Sequence, residues 1–176
     1  LPKSFLRNWK FNQTSSDSMM VYISILRGIN VSGQKLIKMA ALKQMYEKLG
    51  FHNVKTYLQS GNVIFSSNEK SITKLEMLIT AQIEKDFGFT VPVIVFNSET
   101  LKSIITHNPF LKDAEKDPAF FHVTFLAATP EVYDKQSILE KRSANEEVHF
   151  SDRALYLYCP NGYGTTKLNN NFLESK

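Results

Sequence analysis

The sequence contains one cysteine, Cys159, so it cannot form an intrachain disulfide. This cysteine usage fits a reducing cytoplasm. No apolar run approaches the roughly 18 residues needed to span a bilayer, so no membrane contact is expected. The four histidines, His52, His107, His122 and His149, have no HxxH or HExxH spacing. None falls near Cys159 in a zinc pattern, so no metal site is expected. Walker A, GxGxxG and GxSxG motifs are also missing, and no cofactor is expected. Excess charge is small: the net charge of +4 permits an acidic or nucleic-acid partner without requiring one.

The first 18 residues lack an apolar stretch with a small-residue cleavage site, so they do not read as a signal peptide. Asn12 to Ser18 is polar and linker-like. The chain begins at Leu1, and Met19 or Met20 is the expected start of the functional domain. Residues 1–19 are therefore expected to be a flexible leader or cloning remnant.

Val21 to Leu26 is almost continuously apolar and predicts a central strand. It stops at Arg27-Gly28-Ile29-Asn30-Val31-Ser32-Gly33, a glycine-bearing loop followed by Lys35 and Lys38. Met39, Leu42, Tyr46 and Leu49 fall on one helical face, and Gly50 is a natural stop. Two β-type runs flank Gln59-Ser60-Gly61-Asn62 and predict a hairpin. Ile72, Leu75, Ile79, Ile83 and Phe87 line a longer helix. Its expected N-terminal cap is a Ser66–Glu69 capping box or Asn68. Val91 to Phe96 predicts another strand, with Pro92 favouring an edge position. Asn97 caps a helix that Pro109 stops.

The order βαββαβ predicts a ferredoxin-like unit over residues 20–110. A charged stretch, 111–119, reads as a linker. The pattern then restarts over 120–176. Phe120 to Ala127 predicts a strand, and Thr129-Pro130 opens a predicted helix. A second hairpin spans Glu147 to Cys159, and Thr165 or Thr166 is expected to cap a last helix. The fold class expected is therefore α+β, with two ferredoxin-like units of which the second lacks its last strand.

In such a unit the third strand lies between the first two, which are parallel. The end of strand one and the hairpin turn therefore share an edge of the sheet. Arg27, Gly28, Asn30 and Gly33 are thus expected beside Gln59, Ser60, Gly61 and Asn62. Glycines permit close backbone approach, the amides supply donors and acceptors, and Arg27 supplies a planar charged fork. Together they make a candidate site for a phosphate or carboxylate. The plainer alternative is that these residues bond one another and fix loop shape. Gly162-Tyr163-Gly164-Thr165-Thr166-Lys167 is a second anion candidate, read as glycines before a helix start with Lys167 in its first turn.

These same residues carry a resemblance. Leu26-Arg27-Gly28-Ile29-Asn30-Val31-x-Gly33 and Thr56-Tyr57-Leu58-Gln59-Ser60-Gly61-Asn62-Val63-Ile64-Phe65 resemble the bacterial family called domain of unknown function 1697. Gly162-Tyr163-Gly164-x-Thr166-Lys167-Leu168 followed by Asn-Asn-x-Phe172-Leu173-Glu174 is similar to its second signature. The resemblance implies two ferredoxin-like halves and no particular activity. It also implies a Thr-Arg-Asn-Trp segment beyond the last helix, where this sequence has already stopped. Arg7-Asn8-Trp9-Lys10 echoes that segment at the other end of the chain.

The leading expectation is a protein that binds a small anionic ligand or a partner at the Arg27 edge, with Lys167 as a possible contributor. One rival is an enzyme on a phosphorylated or acyl substrate, but the edge supplies arginine and amides rather than a clear base. The other is a nucleic-acid-binding module. Tyr156 and Tyr158 share a strand face that can stack bases or pack against the other unit; packing is the preferred reading. His122 and His149 are placed on neighbouring elements, and Cys159 reads as a buried small hydrophobe.

Overall fold

The computed structural model describes residues 19–176. The expected leader and its Arg7-Asn8-Trp9-Lys10 motif lie outside the described residues. The first half runs β1 (Met20–Leu26), α1 (Met39–Lys48), β2 (His52–Tyr57), β3 (Asn62–Ser67), α2 (Ile72–Phe87), β4 (Val93–Asn97) and α3 (Ser98–Thr106). The second runs β5 (Phe121–Phe125), α4 (Lys135–Lys141), β6 (Glu147–Phe150), β7 (Ala154–Tyr158) and α5 (Asn170–Glu174). The chain is α+β.

The first sheet has the order β2-β3-β1-β4, antiparallel throughout. That puts β1 in the centre and Pro92 at the start of an edge strand, as their sequences predict. The second sheet has the order β5-β7-β6, also antiparallel. It repeats the first sheet's order, and among the described residues no strand takes the place of β4.

Helices and sheets form four layers. α1 and α2 press Leu42, Met45, Tyr46, Leu75, Ile79 and Ile83 onto Tyr22, Val63, Phe65 and Val95. The other face of this sheet carries Ile23, Ile64 and Phe96. It meets Val123, Ala154, Tyr156 and Tyr158 of the second sheet. Behind that sheet, Leu157 packs with Ile138 of α4 and Leu173 of α5. The period-2 alternation of β1, β3, β4 and β7 thus serves two cores at once. The preferred packing reading of Tyr156 and Tyr158 holds. Tyr156 also donates from its buried hydroxyl to the Ile104 carbonyl at 2.8 Å.

Three helix starts differ from the sequence reading. β3 continues through Ser67, where it still pairs with Met20, so α2 begins later. Its cap is Ser71, which accepts from the Lys74 N–H. Residues 129–131 lie in a loop, and Asp134 caps α4 by accepting from the Ser137 N–H. Thr165 closes a 3₁₀ turn (Tyr163–Thr165), and Asn169 caps α5. In each case a capping-competent side chain closer to the observed helix supplies the cap, while the earlier candidate lies in a strand, a loop or a 3₁₀ turn.

Candidate functional site

β1 ends where its backbone is still tied to β4, with Arg27 N–H donating to the Pro92 carbonyl at 2.9 Å. The loop that follows needs positive φ at Gly28 (+76°) and Gly33 (+74°), and Asn30 adopts +55°. Asparagine tolerates that region because its short amide bonds locally. Here Asn30 Oδ1 accepts from Ile37 N–H at 2.8 Å. Its Nδ2 donates to the Ile37 carbonyl at 3.1 Å and to the Gln59 carbonyl at 2.8 Å. One side chain therefore closes the loop and ties it to the hairpin turn.

The turn fits against the loop with almost no clearance. Ile29 is buried, and a Cβ placed on Gly61 would lie 2.5 Å from Ile29 Cδ1 and 3.0 Å from Leu26 Cβ. Glycine is required there by the close approach as well as by a φ of +79°. Asn62 Nδ2 donates to Ser60 Oγ at 3.1 Å. Lys35 Nζ donates to the Thr90 carbonyl at 2.9 Å. The Arg27 loop and the Gln59–Asn62 turn are therefore neighbours, and many of their polar groups bond within the edge.

The Arg27 side chain points elsewhere. Its Nε donates to Glu174 Oε1 at 2.7 Å, and Nη2 donates to Glu174 Oε2 at 3.2 Å and Asn171 Oδ1 at 2.8 Å. Nη1 has no partner among the described residues. The hydrogen bond to Glu174 raises the Arg27 pKa above its already high value. Both side chains keep substantial solvent contact, 37% for Arg27 and 59% for Glu174. Sequence reasoning did not pair these residues. The available signal was that Arg27 and Glu174 belong to the two separate signatures that carry the resemblance.

Lys167 sits in a bend ahead of α5, exposed, and makes no hydrogen bond or ion pair with another described residue. It does not oppose the dipole of a first helical turn, because it precedes the helix.

Arg27 and Glu174 stand on the rim of a groove of about 770 Å³. Its floor is the length of β5, with Ile25 and Ile94 on one side and Tyr163 and Leu173 on the other. His122 lies in this groove, 4.8 Å from the Tyr163 ring, and burial lowers its pKa. His149 neighbours Tyr156 at 6.4 Å. β7 separates β5 from β6, so the two histidines do not meet. Cys159 is buried, and burial followed by the charge of Glu146 pushes its thiol pKa up, away from a thiolate. Among the described residues no group of three or more His, Cys, Asp or Glu is placed to hold a metal ion.

A family profile described as "Protein of unknown function (DUF1697)" matches residues 19–156. No curated protein matches the chain. Among solved structures it is similar to a conserved bacterial protein, SP0830 from Streptococcus pneumoniae, at 23% identity and a TM-score of 0.66. That match covers 89% of this chain and 87% of the other. At this identity the likeness concerns the fold.

Proposed function

The chain belongs to the DUF1697 family, and we propose that it is a binding protein whose recognition point is Arg27. Its ligand is a small carboxylate or phosphate, or the acidic group of a partner. The observation that carries this reading is the bidentate hold of Arg27 on Glu174 at the rim of the groove. Paired, parallel N–H donors on a planar fork are what an external carboxylate or phosphate needs. Glu174 is then an internal stand-in for the ligand, and Nη1 adds two further donors. An ion pair this exposed is worth about 0.2–1 kcal/mol, so an external anion displaces it at little cost.

The chemistry of the groove supports binding more than catalysis. Its one histidine is biased toward the neutral form by burial, and Tyr163 is shifted up by burial, away from the phenolate. The Gln59–Asn62 turn contributes shape: it fixes the loop from which Arg27 projects.

A thermal-shift screen of carboxylates, phosphates and nucleotides tests the proposal on the wild-type chain and on Arg27→Ala. Stabilisation of the wild type at near-millimolar ligand, lost in Arg27→Ala, is expected. No shift in either protein, or a shift that survives Arg27→Ala, would remove Arg27 from the role.

A further inference from the structure

We infer that a second cleft, between α3 and the β6–β7 turn, binds a small zwitterion of the amino-acid type. Arg153 takes its carboxylate, and Asp152 and Glu99 take its ammonium group. This site shares no residue with the Arg27 groove and does not rest on the anion reading of Arg27.

One wall of the cleft is the α3 segment. Glu99, Ser103 and His107 recur at a spacing of four and share one helical face. The start of α3 is fixed by Asn97 Oδ1, which accepts from Thr100 N–H at 2.7 Å. Just past its end, His107 Nδ1 lies 2.8 Å from the Ser103 carbonyl. A carbonyl only accepts, so the proton sits on Nδ1, and in the neutral ring Nε2 is left as an acceptor. The other wall is the β6–β7 turn. Ser151 N–H donates to the Ala154 carbonyl at 3.0 Å, which puts Asp152 and Arg153 at its tip. Tyr156 joins the walls through its hydrogen bond to the Ile104 carbonyl.

Arg153 is held in place by the protein itself. Its Nε donates to the Leu126 carbonyl at 3.2 Å, and its guanidinium carbon lies 5.2 Å from the centre of the Phe96 ring. A stacked, singly tethered guanidinium has few conformations left to lose on binding. Its two Nη groups form no hydrogen bond with another described residue. They are the parallel donors that a carboxylate takes.

The arrangement of charge selects the ligand class. Glu99, Asp152 and Arg153 line one cleft of about 520 Å³, yet neither carboxylate forms an ion pair with the guanidinium. Opposite charges that face one cavity without meeting leave both available to a dipolar molecule. A simple anion meets two carboxylates there, and a simple cation meets Arg153. A zwitterion answers both signs: its carboxylate bonds the Nη groups, and its ammonium has three donors for Asp152, Glu99 and a neighbouring hydroxyl. The floor between them, Ile104 and the Tyr156 ring, is apolar and suits a short carbon skeleton. The volume is in the range of small-molecule sites.

The test is a titration of the full chain followed by backbone amide NMR. Glycine, β-alanine and γ-aminobutyrate place the two charges at increasing separation, while propionate and propylamine carry one charge each. At least one zwitterion is expected to bind at millimolar concentration, moving the amide signals of Ser103, His107 and Asp152. It is expected to bind about tenfold or more tightly than either singly charged compound. Asp152 and Glu99 are exposed, so Asp152→Asn and Glu99→Gln keep the fold, and the double variant is expected to weaken binding about tenfold. Arg153→Gln is expected to abolish it; because Arg153 also packs on Phe96, the carboxylate variants decide the matter if that protein fails to fold. No movement of the Ser103, His107 and Asp152 signals with any zwitterion overturns the site. Equal affinity for propionate or propylamine overturns the zwitterion assignment, and so does an affinity unchanged in the double carboxylate variant. Loss of binding in Arg27→Ala with retention in the double variant moves the ligand to the Arg27 groove and also overturns this site.

Discussion

At the residue scale, two positions at the Arg27 edge have distinct duties. Gly61 makes room: an added Cβ meets Ile29 at 2.5 Å, on a backbone at φ +79° that L side chains resist. Gly61→Ala is expected to destabilise the fold by about 2–3 kcal/mol, read from the urea midpoint at unchanged m-value. Asn30 satisfies the Ile37 amide and two carbonyls. Asn30→Ala leaves the Ile37 N–H without its acceptor and is expected to cost about 1–3 kcal/mol by the same measurement. Arg27→Ala removes an exposed pair and is expected to cost under about 1 kcal/mol. That contrast separates residues that build the edge from one that presents a charge. The sequence indicated that the two turns meet, because local turn signals place each turn and the strand order of a βαββ unit brings them to one edge. It did not indicate that Arg27 reaches across to Glu174, 147 positions later, since no local pattern encodes that contact.

At the element scale, the helices with a clean apolar stripe were legible, α2 most of all: Leu75, Ile79 and Ile83 are buried and Gly88 ends it in the left-handed region. The starts of α2, α4 and α5 were less so. Several hydroxyl, amide and carboxylate side chains compete to cap each, and tertiary pairing decides which wins. The α4 cap has a pH consequence. Asp134 is held below its ordinary carboxyl pKa, chiefly by the hydrogen bond from the Ser137 hydroxyl. Because the folded pKa is depressed, its contribution is present above the unfolded value of 3.8 and lost as pH falls through the folded pKa. Acid is therefore expected to fray α4 before the sheets open. Amide exchange of α4 as pH is lowered from neutral checks this, with Asp134→Asn removing most of the pH dependence.

At the scale of the whole molecule, the two halves share one inter-sheet core, so they are expected to unfold together. Phe96 is buried against Phe125 and the rest of that core. Phe96→Ala is expected to cost about 3–5 kcal/mol and to shift probes of both sheets equally. The repeat of βαββ order was legible from periodicity alone. The face-to-face stacking was legible only as Tyr156 and Tyr158 on one side of a strand, since packing partners are set in three dimensions. The same stacking leaves the β5 edge and the Arg27–Glu174 pair along one groove. In the proposed binding mode Glu174 occupies a place that an external anion takes. Calorimetric affinity for inorganic phosphate and a dicarboxylate, on the wild type and on Glu174→Ala, tests it most directly. Removing an exposed competitor worth under about 1 kcal/mol should tighten binding of at least one of them about two- to fivefold. Affinities that are unchanged or weaker in Glu174→Ala would contradict it.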